Sequence, residues 1–265
     1  MNNIDSQTNF SGIYLMILFM LWPVVASSEM TSFDEVEKQI ASHTLELNRS
    51  PDDARRYILR GDLYFLIHEF DEAVEDYTAA IELDSSLDAA YFGRGLAYGR
   101  QGYISEGIED LSHYIKLNPQ SSLAYTKRGV RYLWLGDRDN AFDDLSKAVM
   151  LDPENAEAHD DLGVVLAQKG SYKQAIKHFS ATIRIEPDYQ KGYHNLAMAY
   201  YVTENDALAL DAVNESLRLK STARNSLLLK AKILIALGKV EEAAALEEDA
   251  EFMPDGDWSE QAPVQ

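Results

Sequence analysis

The chain contains no cysteine. That excludes disulfides, thiolate nucleophiles, cysteine-ligated zinc, iron–sulfur clusters and a lipid-modified cysteine. Basic residues are scarce: 24 Lys and Arg stand against 44 Asp and Glu, a formal net charge of -20. Nucleic acid needs basic stripes to neutralise phosphate, so it is excluded as the main ligand. An anionic membrane surface is disfavoured for the same reason. Two readings of the acidity stay open: a well-solvated surface that keeps the chain soluble, or a basic partner. Long apolar runs are also missing. The longest, Ile13 to Ala26, is broken by Pro23 and falls short of the roughly 20 residues of a membrane span.

Catalytic motifs are absent as well. No Walker loop, GxGxxG, GxSxG or HExxH occurs. The histidines are His43, His68, His113, His159, His178 and His194, and no two have metal-ligand spacing. His159, His178 and His194 fall in two adjacent units, which leaves a spatial cluster open beside the plainer reading of satisfied or solvent-facing rings. The expectation is no enzyme, no metal and no cofactor.

The N-terminal run has the make-up of an export signal. Val24 and Ala26 take the −3 and −1 places of a cleavage site ahead of Ser27-Ser28. One feature departs: Met1 to Phe10 has no Lys or Arg and carries Asp5. The expectation is a periplasmic or secreted protein. The alternative is an uncleaved anchor at residues 12–26, the one case that gives membrane contact.

What the sequence does contain is a period. Gly61, Gly95, Gly129 and Gly163 stand 34 residues apart, as do Pro119, Pro153 and Pro187, with Pro51 and Ser85 on the same step. Tyr64, Tyr98 and Tyr132 follow three of those glycines. Ala73, Gly107, Ala141 and Ala175 trail the glycines by twelve, continuing at Ala209 and Ala243. Within 122–155, Leu123 to Leu135 has helical apolar spacing, Gly136-Asp137 marks a turn, and Asn140 to Leu151 is a second amphipathic stretch ended by Pro153. A second series, Gly102, Gly136, Gly170 and Gly238, suits the left-handed residue that ends a helix. Gly129 and Ala141 are read as letting two helix backbones approach closely.

A charge pattern rides on the period. Arg60, Arg94 and Arg128 precede the glycine in the first three units, and Asp76, Asp110 and Asp144 come sixteen residues later. The next two units lack both, with Leu162 and His178, then Leu196 and Ala212. The expectation is an ion pair within each hairpin; inheritance of both residues by recent duplication is the alternative.

The pattern resembles the tetratricopeptide repeat over about 54–250. Repeat 156–189 shows Leu162-Gly163, Ala175, Phe179 and Pro187; repeat 122–155 shows Tyr125, Gly129, Tyr132, Ala141, Leu145, Ala148 and Pro153. It departs at 190–223, with Ala197 for glycine and Ser221 for proline, and further at Lys230-Ala231 and Glu247. The resemblance implies an all-α, right-handed α-solenoid of stacked helix–turn–helix repeats. The expected divisions are 1–26 signal, 27–53 capping helix, repeats at 54–87, 88–121, 122–155, 156–189 and 190–223, a partial repeat or cap at 224–250, and an acidic tail at 251–265. Ser32 and Glu35 read as a capping box for the first helix, with Phe33, Val36, Ile40 and Leu47 on one face.

The resemblance also implies a concave groove lined by first helices. Its expected wall is Phe92, Leu96, Arg100, Lys127, Val130, Trp134, Asp160, Asp161 and Asn195, with Thr126, Val164, His194, Met198 and Tyr201 beside them. The middle is apolar and basic, the later part acidic, and Trp134 is the candidate anchor; packing of Phe92 and Trp134 against neighbouring helices is the alternative. A clamp for a C-terminal carboxylate is not expected, because Ile58, Asp62, Gly93 and Leu123 hold its places and only Lys127 suits. The function expected is a protein-binding adaptor or assembly factor in the cell envelope, holding a peptide or helix of a basic or amphiphilic partner. The alternative is a structural subunit docking through its convex face or ends.

Overall fold

The computed structural model describes residues 33–253. The segment read as an export signal, Ser32 of the capping box and the acidic tail from 254 lie outside the described residues. Thirteen helices and no strand occur among them. Helix α1 (Phe33–Leu47) is followed by six hairpins. These are α2 (Ala54–Leu66) with α3 (Phe70–Leu83), α4 (Asp88–Gln101) with α5 (Ile104–Leu117), and α6 (Ser122–Trp134) with α7 (Arg138–Leu151). Then come α8 (Ala156–Gln168) with α9 (Tyr172–Ile185), α10 (Gln190–Val202) with α11 (Asp206–Leu219), and α12 (Arg224–Ala236) with α13 (Val240–Glu251). The sixth unit is thus a complete hairpin, although Lys230-Ala231 and Glu247 break the sequence pattern; Ala231 and Ala243 are still fully buried at its crossing.

Each helix starts and stops for local reasons. Asp53, Ser121, Asp137 and Asn155 are N-caps whose side chains accept from a backbone N–H three residues on. Gly102, Gly136, Gly170 and Gly238 turn the chain between the paired helices at φ of 76° to 86°. Units one and five put His68 (φ 67°) and Glu204 (φ 58°) at that same place, with side chains that this backbone region disfavours.

The helices pack as a solenoid. Every helix touches its neighbours in sequence. First helices also touch the next first helix: α2 meets α4, α4 meets α6, and so on to α12. Consecutive second helices make no such contact among the described residues. The stack is therefore tighter on the first-helix side, and that side is the inner wall. The core is a stripe between the layers: Leu145, Leu162, Phe179, Leu196, Val213 and Ile233 belong to one cluster that crosses four units. Gly129 and Gly163 give room to the second helix's side chain, whereas Gly95 in unit two also closes on the backbone of Gly107. A Cβ on Gly129 would stand 2.8 Å from Leu145 Cγ, and one on Gly163 would stand 2.5 Å from the Phe179 ring. On α1, Val36 and Leu47 are buried while Phe33 points to solvent.

Candidate functional site

The arginines and aspartates that recur in the first three units are brought together. Arg60 donates from Nε and Nη2 to the two carboxylate oxygens of Asp76 at 2.8 and 2.7 Å. Arg94 does the same to Asp110 at 2.8 and 2.9 Å, and Arg128 to Asp144 at 2.7 and 2.7 Å. Nη1 of each arginine donates to a hydroxyl on the helix before its own, Thr44 on α1, Thr78 on α3 and Ser112 on α5. Tyrosines one turn before and after flank each guanidinium, as Tyr125 and Tyr132 do at Arg128. Arg94 and Arg128 thus each tie two second helices through one first helix, and Arg60 ties α1 to α3. The hydrogen bond to Asp76 holds the Arg60 guanidinium above its usual pKa. This ladder is structural, set between the layers.

The ladder stops at unit four. His178 stands where Asp144 stands one unit earlier, and its Nδ1 meets His159 Nδ1 at 3.0 Å. His159 Nε2 donates to the Pro153 carbonyl at 3.2 Å, so its Nδ1 accepts and His178 Nδ1 donates. Burial and the facing ring push His178 down to about 4. His194 is apart from this pair, bonded to Ser226 Oγ at 2.9 Å and pushed to about 4 by burial. No group of three metal-ligating side chains occurs among the described residues.

The inner wall differs along its length. At its start, Tyr77 fills the space beside Gly61 and Gly93 and donates to Asp62 at 2.7 Å. Burial raises the Asp62 carboxyl to about 6. Phe92 is buried against Tyr114, with ring centroids 4.8 Å apart, so it belongs to the core. Leu96 and Val130 are half-buried. Arg100 lies over the Phe70 ring at 5.5 Å.

Trp134 covers a residue the sequence reading passed over. Arg131 is only 4% exposed, and its guanidinium lies 5.6 Å from the Trp134 ring. It donates to the carbonyls of Lys127, Gly95 and Leu96 at 2.9, 3.3 and 3.3 Å. A Cβ on Gly99 would collide with it at 2.3 Å, so Gly99 of α4, with Gly107 of α5 beside it, makes its slot. Burial lowers it to about 10, against the pull of Glu157. The signal was present: other units hold Ala97, Val165 and Ala199 at that register, and Gly99 recurs nowhere else.

Further along, three first helices bring charges together. Lys127 on α6 donates to both oxygens of Glu157 on α8 at 2.6 and 2.7 Å. Lys191, at the start of α10, stands 3.1 Å from Asp160 Oδ2 and 3.8 Å from Asp161 Oδ1. Asn195 donates to Asp160 Oδ1 at 2.8 Å. Asp160 is fully buried and Asp161 is 8% exposed. Burial, with Asp160 and Glu157 nearby, raises the Asp161 carboxyl to about 7 despite Lys191. Burial would lower the Lys191 ammonium, but Asp160 and Asp161 outweigh it and hold it above its usual pKa. Beyond this cluster the wall turns apolar and open. Met198 and Val202 on α10 and Ile235 on α12 are 39%, 45% and 48% exposed.

Family models for tetratricopeptide repeats match residues 61–102, 88–121 and 135–199. No curated protein matches. Among solved structures, the chain is similar to YrrB, described as a TPR protein with an unusual peptide-binding site. Identity is 24%, with 70% of this chain and 95% of that one covered, at a TM-score of 0.57. PilF of Pseudomonas aeruginosa shares 17% identity over 77% of this chain and 92% of that one, at a TM-score of 0.67. A tetratricopeptide repeat protein from Parabacteroides merdae shares 19% identity over 91% and 93%, at a TM-score of 0.66.

Proposed function

The chain is a tetratricopeptide-repeat protein, and we propose that it works as a non-catalytic adaptor or assembly factor whose inner groove holds a segment of a partner protein. The observation that carries this reading is the exposure of Met198, Val202 and Ile235 on the inner wall, where large apolar side chains gain nothing for the fold. Exposed apolar side chains grouped on a concave surface mark binding sites. The charges beside them supply orientation. YrrB, with its own peptide-binding site, is a fitting precedent. The pattern of residues 13–26 supports export, and we place the protein's work in the cell envelope on that ground.

A second reading has its own observation. The second helices expose Leu83, Leu117 and Met150, which suits a structural subunit that docks by its outer layer. A photo-crosslinking residue placed at 198 or at 150 in the full chain separates the two. Adducts to a partner from position 198 support the groove. Adducts from 150 alone favour the outer face, and adducts from neither contradict a standing protein partner.

A further inference from the structure

We propose that the wall formed by α8 and α10 receives a cationic side chain, a lysine or arginine, of the segment held in the groove, with Asp161 as its counter-ion. The proposal rests on the groove-binding reading above and adds the chemistry of the bound segment.

The first ground is a carboxylate with a distant ion pair and no hydrogen-bond donor among the described residues. Asp161 is 8% exposed and accepts no hydrogen bond from any described residue. Its nearest positive charge among the described residues, Lys191 Nζ, is 3.8 Å away and lies closer to Asp160. A buried carboxylate without donors costs folding energy, and native chains rarely carry one without a use. The second ground is how the lysines are shared. Glu157, Asp160 and Asp161 share two ammonium groups, Lys127 and Lys191. Lys127 is spent on both oxygens of Glu157. Lys191 serves two aspartates and stands nearer Asp160, so among the described residues no cation lies within hydrogen-bond distance of Asp161. The third ground is the neighbourhood. Met198 and Val202 lie along α10, beyond Lys191 and Asn195, and are open to solvent. An amphipathic segment with one basic residue beside aliphatic ones matches both features: the cation completes the cluster, and the apolar side chains cover the strip.

The groups facing Asp161 are Asp160 and Glu157 on its own helix, Lys191 from α10, Tyr189 just before that helix and Lys127 from α6. Because its carboxyl sits near pH 7, a bound ammonium would expel its proton. Binding then tightens as pH rises from 6 to 8.

The test is selection of a random twelve-residue peptide phage library on the full chain. The expected winners carry Lys or Arg flanked by aliphatic residues. The strongest is then synthesised, together with a form in which that basic residue is Gln, and both are titrated by fluorescence anisotropy. The basic peptide should bind about tenfold or more tightly than its Gln form. It should lose that advantage on Asp161→Asn, and should gain affinity between pH 6 and pH 8 while the Gln form does not. The peptide-side change leaves the protein intact, so a folding defect in the variant cannot mimic the result. Winners without basic residues, or equal binding of the two peptides, overturn the cationic site and leave the groove standing. No enrichment at all overturns the groove reading and this proposal with it.

Discussion

Arg128 and Asp144 meet side by side, with Nε and Nη2 each donating to one carboxylate oxygen at 2.7 Å. The aspartate side chain is 8% exposed and the arginine 18%. Removing one partner strands the other in a poorly hydrated place, at a cost of about 3–5 kcal/mol. Arg128→Met and Asp144→Ala should each lower stability on that scale, and the double variant should cost much less than their sum. Urea unfolding of the four forms measures it. Additive costs would mean that the two side chains act independently.

Unit four retains part of the ladder. Ser146 holds the register of Thr44, Thr78 and Ser112, but Leu162 replaces arginine and His178 replaces aspartate. Leu162→Arg alone should be destabilising, because it buries a guanidinium without its carboxylate. Adding His178→Asp should recover most of the loss. Thermal melts of both singles and the double check this; a double no better than Leu162→Arg would show that the ladder needs more than its three side chains.

Glu204 occupies a left-handed backbone position, φ 58°, that four other units fill with glycine. Its side chain is exposed. Glu204→Gly relieves a penalty of about 1–2 kcal/mol and gives part of it back as chain entropy. A net gain of about 0.5–1 kcal/mol in urea unfolding is expected.

The pH dependence has two opposed parts. Asp161 is raised from 3.8 to about 7. Between those values the folded chain keeps a proton that the unfolded chain releases, so this group's contribution is lost as pH rises. Asp161→Asn should therefore raise Tm at pH 8 and change it little near pH 4. His178 and His194 are lowered from 6.5 to about 4, so they withdraw stability as pH falls from 6.5 towards 4. Melts of wild type and Asp161→Asn across pH 4–8 separate the two; a variant less stable at pH 8 would show that the Asp161 carboxylate supports the fold.

The fold was legible because a period is redundant: Gly61, Gly95, Gly129 and Gly163 each repeat the same packing demand. The Arg–Asp contacts could be read for the same reason, since both residues disappear together from units four and five. Their third arm was less visible, because Thr44, Thr78 and Ser112 belong by sequence to the preceding unit. The groove was legible only as a list of positions. Which side chains are spent inside the wall depends on fine packing: Phe92 turns into the core, and Trp134 lies on a buried arginine. Lys191 pairs with Asp160 across a whole repeat, a relation that spacing within one hairpin does not reveal.

Hydrogen–deuterium exchange on the full chain, with and without the peptide selected from the phage library, tests the groove most directly. Slowed exchange is expected in the first helices α8, α10 and α12, around Asp161, Met198 and Ile235, with α9 and α11 unchanged. Protection confined to the second helices would contradict it.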